Sequence, residues 1–330
     1  MEKVIEAENL TKIYAGEVKA VDSITFDVES GALFGFLGPN GAGKTTTIKL
    51  LTTLASITSG RASVLGYDLR KDANQVRKSI GIVPQDLTID SELKGIENTM
   101  LAARLYHVPK EVAKDRAQEL LGLVGLQEAA NRLVSTYSGG MRKRLELIVG
   151  LMHEPKILFM DEPTLGLDVN TRKIIWDYIM KLNKEKGVTI FLTTHYLEEA
   201  DALCDMVAII DKGKIVTMGS PHQLKDMVGG EILQVELSIE KDLSDIFYAV
   251  KGVKRVEKTG NNYTIKLNDA PEIIPTIIGD IYDNGAKIKS ILCSKPSLDQ
   301  VFLEVTGKDF REEETGRAAT RRTDLLSRRT

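Results

Sequence analysis

Nine residues, GPNGAGKTT from Gly38 to Thr46, restrict the folds open to this chain more than any other stretch. They follow the apolar run Ala32–Leu37 and open a helical pattern over Thr45–Leu54, so they form the turn between a buried strand and a helix. The spacing is G-x-x-x-x-G-K-[ST], in which glycines let successive backbone N–H groups face a chain of phosphates. On this reading Gly38, Pro39, Asn40, Gly41, Ala42, Gly43, Lys44, Thr45 and Thr46 form the cradle, and Lys44 reaches the outer phosphates. The Thr45 hydroxyl then completes the shell of a Mg²⁺ ion. A dinucleotide-binding turn fits less well, because it needs the spacing G-x-G-x-x-G and has no use for the lysine.

Two further apolar runs, Ile157–Met160 and Val188–Leu192, do not alternate and are bounded by turn signals, as strands buried on both faces of a parallel sheet are. Helical patterns at Glu111–Leu123 and Thr171–Lys184 lie between the runs, giving an α/β nucleotide-binding core. The opening pieces KVIEAENLTKIY and AVDSITFDVES alternate more and read as antiparallel strands beside that core. The strand in KILFMDEP delivers Asp161 and Glu162 to the carboxyl edge of the sheet. Asp161 is placed to hold the metal, and Glu162 to orient and polarise an attacking water. TIFLTTH ends in His195, which can donate to a terminal phosphate. Either carboxylate alone fits a solvated acidic turn, but two together behind such a strand point to a site.

In TYSGGMRKRLELI, Ser138 precedes Gly139 and Gly140 and a helix whose apolar face is Met141, Leu145, Ile148, Val149 and Met152. Ser138 is the N-cap. A helix start with a hydroxyl and bare backbone suits an anion, although taken alone it reads first as an ordinary cap and turn.

With 330 residues, 42% hydrophobic and 28% charged, the chain is long enough for more than one globular core. A net charge of -3 gives no electrostatic case for nucleic acid, so no nucleic-acid partner is expected. Cys204 and Cys293 stand alone, which suits a reducing compartment without disulfides. The start, MEKVIEAENL, lacks the apolar core of a signal peptide, and no apolar run nears the ~20 residues that cross a bilayer. Any membrane role is therefore expected through a partner. A boundary is expected at Gly229 and Gly230, dividing the chain into residues 1–228, 229–307 and a charged tail at 308–330 expected to be disordered. The short helix of GSPHQLKDMVGG precedes that boundary. After it come a strand at Ile232–Ile239, a helix at Lys241–Val250, strands at Val253–Lys258 and Tyr263–Leu267, a helix at Pro271–Asn284 and a strand at Lys287–Cys293. This is the βαββαβ order of a ferredoxin-like α+β domain, followed by a helix at Leu298–Val305.

On these motifs the chain resembles the ATP-binding-cassette ATPases over about Val4 to Met227. YSGGM at Tyr137–Met141 is similar to their Leu-Ser-Gly-Gly-Gln signature. The resemblance implies a P-loop core with antiparallel β and helical subdomains, working with ATP and Mg²⁺. It also implies that Tyr14 stacks on adenine, that Gln85 senses metal and attacking water, and that the loop ending in Asp168 touches a partner subunit. Two cassettes would face each other head to tail as a homodimer, so that Ser138, Gly139 and Gly140 of one cap the ATP of the other. YSGGMRKRL with the ending LDQVFLEVTG further resembles the drug-resistance, daunorubicin-type exporter ATPases. That implies a separately encoded transmembrane permease docked near Gln85 and Asp86–His107, an amphipathic cargo such as a drug or lipid, and a peripheral place on the cytoplasmic face of the cell membrane. The rival class, a soluble cassette ATPase acting on ribosomes or DNA, usually carries two cassettes or a coiled-coil insertion. This chain has one cassette and no sustained heptads.

Overall fold

The computed structural model describes residues 2–238, 242–294 and 296–307. The charged tail from 308 onward, expected to be disordered, lies outside them, as do Ile239 and Lys241 at the ends of the expected strand and helix. The chain divides into one compact unit spanning Met1–Pro221 and another that begins at His222.

The first unit opens with β1 (Lys3–Tyr14) and β2 (Val18–Glu29), an antiparallel pair running from Lys3 opposite Glu29 to Tyr14 opposite Val18. Next come β3 (Leu33–Leu37), α1 (Lys44–Leu51), β4 (Ser59–Val64), β5 (Tyr67–Asp68), α2 (Ala73–Ser79) and β6 (Ile80–Val83). Three helices follow, α3 (Gly95–Leu105), α4 (Lys110–Leu123) and α5 (Gly139–Val149), and they pack on one another. The unit ends with β7 (Ile157–Asp161), α6 (Val169–Lys186), β8 (Thr189–Thr194), α7 (Leu197–Leu203), β9 (Met206–Asp211) and β10 (Lys214–Gly219).

Two sheets result. One is four-stranded and antiparallel in the order β2-β1-β4-β5; the other has six strands in the order β10-β9-β3-β8-β7-β6. The second is parallel except for β10, which runs against β9. Its middle strands β3, β7 and β8 are buried at every position, which explains their unbroken apolar runs. Between the sheets Phe26, Phe34, Phe36, Phe159 and Phe191 form a cluster with ring centroids 5.4 to 6.1 Å apart. Burying each ring stabilises the fold by about 1.5–3 kcal/mol. The order β3-β8-β7 places three loops side by side at the carboxyl edge, where ligands bind in open parallel sheets.

The second unit takes in most of α8 (Pro221–Val228), then β11 (Glu231–Leu237), α9 (Ser244–Ala249), β12 (Val253–Thr259), β13 (Asn262–Leu267), α10 (Ala270–Asp283), β14 (Ile288–Ser294) and α11 (Leu298–Thr306). The division thus falls at Pro221 and not at the Gly229–Gly230 pair. Those glycines, with φ of 61° and 81°, turn α8 directly into β11 and leave no linker there. Strand order β12-β13-β11-β14, antiparallel throughout, is the ferredoxin-like arrangement. Leu233, Val235 and Leu237 face inward at alternate positions of β11 and meet Phe247 of α9 and Ile277 and Ile281 of α10 in one core. No helix among the described residues is long and apolar enough to cross a membrane.

Candidate active site

The loop after β3 is shaped by contacts that only bare backbone permits. A Cβ on Gly38 would lie 2.2 Å from the Ile210 carbonyl oxygen, and one on Gly43 would lie 2.5 Å from that of Ala20. Gly43 is also the N-cap of α1 with φ of 114°, a left-handed conformation that side chains resist. The loop is tied down by the Gly213 N–H, which donates to the Ala42 carbonyl at 2.8 Å. Pro39 and Ala42 are buried, Asn40 and Gly41 are exposed, and Thr45 and Thr46 are half-buried in the first turn of α1. The start of a helix carries partial positive charge and N–H groups with no intrahelical partner, which suits phosphate.

Around this loop the sheet gathers Lys44, Asp161, Glu162, Thr193 and His195, all buried. Lys44 Nζ lies 3.1 Å from Glu162 Oε1 and donates to the Gly38 carbonyl at 2.6 Å and the Pro39 carbonyl at 3.3 Å. His195 Nδ1 is 3.0 Å from Glu162 Oε2. Burial pushes the Glu162 carboxyl upward, but the His195 hydrogen bond and the Lys44 charge outweigh it and hold it below the ordinary glutamate value. The backbone of Glu162 is left-handed, with φ of 50°. For a residue other than glycine such a conformation costs about 1–3 kcal/mol and persists only where neighbours enforce it. Here the Glu162 N–H donates to both the hydroxyl and the carbonyl of Thr193, each at 3.1 Å, while Lys44 and His195 hold the carboxylate. The Thr193 hydroxyl in turn donates to Asp161 Oδ1 at 2.6 Å.

The donors expected for Mg²⁺ are the Thr45 hydroxyl, the Asp161 carboxylate and the Gln85 side chain. All are hard oxygens, and Asp161 is already oriented by Thr193, so the set fits an ion that takes one carboxylate and draws its other ligands from phosphate and water. Among the described residues no cluster of three or more His, Cys, Asp or Glu offers a cage for a different ion.

Four expected groups stand on other elements, with no bond to the Lys44 cluster among the described residues. Ser138 caps α5, its hydroxyl accepting from the Met141 N–H at 3.3 Å. Asp168 caps α6, accepting from the N–H groups of Asn170 and Thr171 at 3.1 Å and from the Thr171 hydroxyl at 2.5 Å; these bonds lower its pKa. Tyr14 is 41% exposed at the end of β1, with Lys12 Nζ 5.0 Å from its ring centre. Gln85 is exposed in the loop after β6. The two signature glycines differ. A Cβ on Gly140 would meet Thr171 Cγ2 at 2.6 Å, whereas one on Gly139 would meet nothing within 4 Å among the described residues. Tyr137, where a leucine is usual, is buried, and its hydroxyl donates to the Ala129 carbonyl at 2.7 Å. Gly95 makes the room, since a Cβ there would stand 2.3 Å from that hydroxyl.

Sequence reasoning missed three features. Thr193 was signalled only by two polar residues closing an apolar strand. Glu199 of α7 is buried, and its Oε1 accepts from the Thr164 hydroxyl and the Trp176 indole, both at 2.9 Å. Burial raises its pKa above the ordinary glutamate value, with those donors working against it. Finally, the apolar stripe of α5 implied a single buried face. The structure also buries Lys143 and Glu146 on the opposite side, against the loop after β6.

The comparisons agree with this architecture. The family model described as ABC transporter matches residues 21–165, and that described as ATP-binding protein DrrA1-3-like, C-terminal domain, matches 219–306. The daunorubicin resistance ATP-binding protein DrrA2 of Streptomyces coeruleorubidus is 36% identical over 319 residues, covering 96% of this chain and 98% of that protein. The Nod factor export ATP-binding protein I of Ralstonia nicotianae is 33% identical over 310 residues, covering 94% of this chain and 95% of that one. Among solved structures, a dimeric ATP-binding cassette in a post-hydrolysis state with ADP and Pi overlays with a TM-score of 0.60 at 26% identity, covering 66% of this chain and 98% of its own. With this glycine-framed loop, this buried lysine, glutamate and histidine, and relatives matched along nearly their whole length, the chain belongs to the ATP-binding-cassette family of transport ATPases, of the drug-resistance and export type with a DrrA-like C-terminal domain.

Proposed function

We propose that this ATPase powers a separately encoded transmembrane permease that exports an amphipathic compound, and that it does so from the cytoplasmic face of the membrane as a homodimer closing on ATP. The observation that carries the catalytic part is Glu162, buried between Lys44 and His195 at the end of β7. Phosphates entering the loop draw Lys44 Nζ toward the outer oxygens. Glu162 then keeps its His195 contact and takes a proton from the water that attacks the γ-phosphorus, and ADP leaves with its bridging oxygen. His195 meets the γ-phosphate, Tyr14 the adenine, and Thr45, Asp161 and Gln85 the metal. Mg²⁺, when bound, neutralises charge on the β- and γ-oxygens. Glu162→Gln keeps the shape but not the base, so steady-state turnover is expected to fall about 10²–10⁴-fold with ATP binding retained. Turnover at the parent rate would refute the assignment.

The dimeric part rests on Gly139, where an added Cβ would meet no packed neighbour within 4 Å among the described residues. The test mixes a Lys44→Ala chain with a Ser138→Arg chain under two tags. In a head-to-tail pair both lesions fall in one site and the other site is intact, so the mixed dimer recovers about one site's single-turnover hydrolysis. If each turn served its own chain's nucleotide, both sites would carry a lesion and no recovery would follow. For the permease, the segment Asp86–His107 is the docking face, and co-purification of a multi-span membrane protein that is lost when this segment is altered tests it. For the cargo, the relatives named for daunorubicin resistance and Nod factor export favour an amphipath.

A further inference from the structure

The unexpected buried charges of α5 grip one loop at two points. Glu146 and Lys143 are only 2% and 6% exposed. Glu146 Oε2 accepts from the backbone N–H groups of Thr88 at 3.0 Å and Ile89 at 3.2 Å, and its Oε1 accepts from the Thr88 hydroxyl. Lys143 Nζ donates to the Pro84 carbonyl at 3.1 Å. The two anchors therefore lie on either side of Gln85, at the residue before it and at the third and fourth residues after it. Charges buried this deeply are costly unless hydrogen bonds hold them, and here the backbone of a single loop supplies most of those bonds. Lys143 also lies in the field of Asp161, Asp86 and Glu199.

We infer that Lys143 and Glu146 are positioning residues that fasten the Pro84–Ile89 segment to α5, so that Gln85 and the Ser138-Gly139-Gly140 turn at the head of the same helix move as one body. The inference rests on the reading of Gln85 as the group that senses metal and water. Its consequence is mechanical. Delivery of Gln85 to the metal and delivery of the signature turn to its phosphate become one event, and a load applied to the loop reaches the helix without slack.

The test measures steady-state hydrolysis by the full-length protein against both ATP and Mg²⁺. Gln85→Ala sets the reference, a lower kcat with a raised Mg²⁺ half-saturation. Glu146→Ala is expected to reproduce that pattern, with kcat down about 10-fold and KM for ATP within about twofold. Glu146→Gln keeps an acceptor for the Thr88 and Ile89 N–H groups and is expected to recover kcat to within about threefold of the parent. In the double variant Gln85→Ala with Glu146→Ala, the loss should be no greater than for Gln85→Ala alone, because both act through one group. Should Glu146→Ala not fold, Lys143→Met removes the other anchor and must shift the Mg²⁺ dependence in the same direction. If Gln85→Ala leaves the Mg²⁺ dependence unchanged, the reading of Gln85 fails. If Gln85→Ala shifts it while Glu146→Ala and Lys143→Met lower only the thermal midpoint, the clamp alone is overturned. Multiplicative losses in the double variant also overturn it.

Discussion

Thr193→Val isolates the bond that ties β8 to the paired carboxylates of β7. The hydroxyl donates to Asp161 Oδ1 at 2.6 Å and accepts from the Glu162 N–H at 3.1 Å, so valine removes both contacts with little change of shape. A hydrogen bond to a charged carboxylate contributes about 1.5–3 kcal/mol. The Glu162 N–H loses less, because the Thr193 carbonyl, also at 3.1 Å, still accepts from it. The buried methyl that replaces the hydroxyl returns a few tenths up to about 0.8 kcal/mol. The net expectation is a loss of about 0.7–2.7 kcal/mol of stability. Urea unfolding followed by Trp176 fluorescence measures it, since Trp176 is the chain's single tryptophan and its indole is bonded to Glu199 within the same unit. Turnover is expected to fall about 10-fold with the Mg²⁺ half-saturation raised, and Thr193→Ser should restore both, because Asp161 regains its orienting donor. A stability loss below about 0.5 kcal/mol together with parental Mg²⁺ dependence would refute the reasoning.

Gly38→Ala should abolish binding of a fluorescent ATP analogue, because its Cβ would stand 2.2 Å from the backbone oxygen of Ile210, and neither strand can yield without moving the loop. Retained affinity would mean that the loop is softer than these contacts imply. Glu162, whose pKa is held down by His195 and Lys44 against the effect of burial, contributes stability that is present above the ordinary carboxylate range and is lost as pH falls through its lowered value. The stability difference between parent and Glu162→Gln should therefore shrink as the medium is taken from about pH 7 to about pH 4 in urea titrations, and a difference that grew on acidification would reverse the assigned sign.

Legibility followed the range of the interactions. Elements fixed by local pattern were readable: β1 spans the alternating stretch KVIEAENLTKIY to the residue, and β3, β7 and β8 lie within or beside the expected apolar runs. The ferredoxin-like order was readable because β11 and β13 alternate and α10 keeps a helical period. The loop Gly38–Thr46 and the pair Asp161–Glu162 stand out in the sequence because their residue types fall at the spacing that the proposed phosphate and metal chemistry would need. What stayed hidden was tertiary. Lys143 and Glu146 lie off the apolar stripe of α5, and no period along that helix records that the loop after β6 covers them. The left-handed turn at Glu162 leaves no mark on composition either, because it comes from the neighbours around that residue.

The strand order explains why β8 matters out of proportion to its one expected residue. It lies between β3, which leads into the phosphate loop, and β7, which ends in the carboxylates, so its last residues touch both. Thr193 holds Asp161 and the Glu162 backbone, the Thr194 carbonyl accepts from the Gly38 N–H at 3.4 Å, and His195 meets the Glu162 carboxylate. One step further along, Glu199 ties Thr164, near the start of the loop that ends in Asp168, to Trp176 of α6. His195 and Glu199 stand four residues apart on the segment that leads from β8 into α7. Gln85 and the signature turn are reached by a separate route, through the two charges of α5. Asp161, Glu162 and the Gly38 backbone are thus braced on β8, whereas the loop of Gln85, proposed for the same metal, is braced on the helix that carries the signature turn. That separation suits the proposed closure on ATP, since each set of groups is held to its own element.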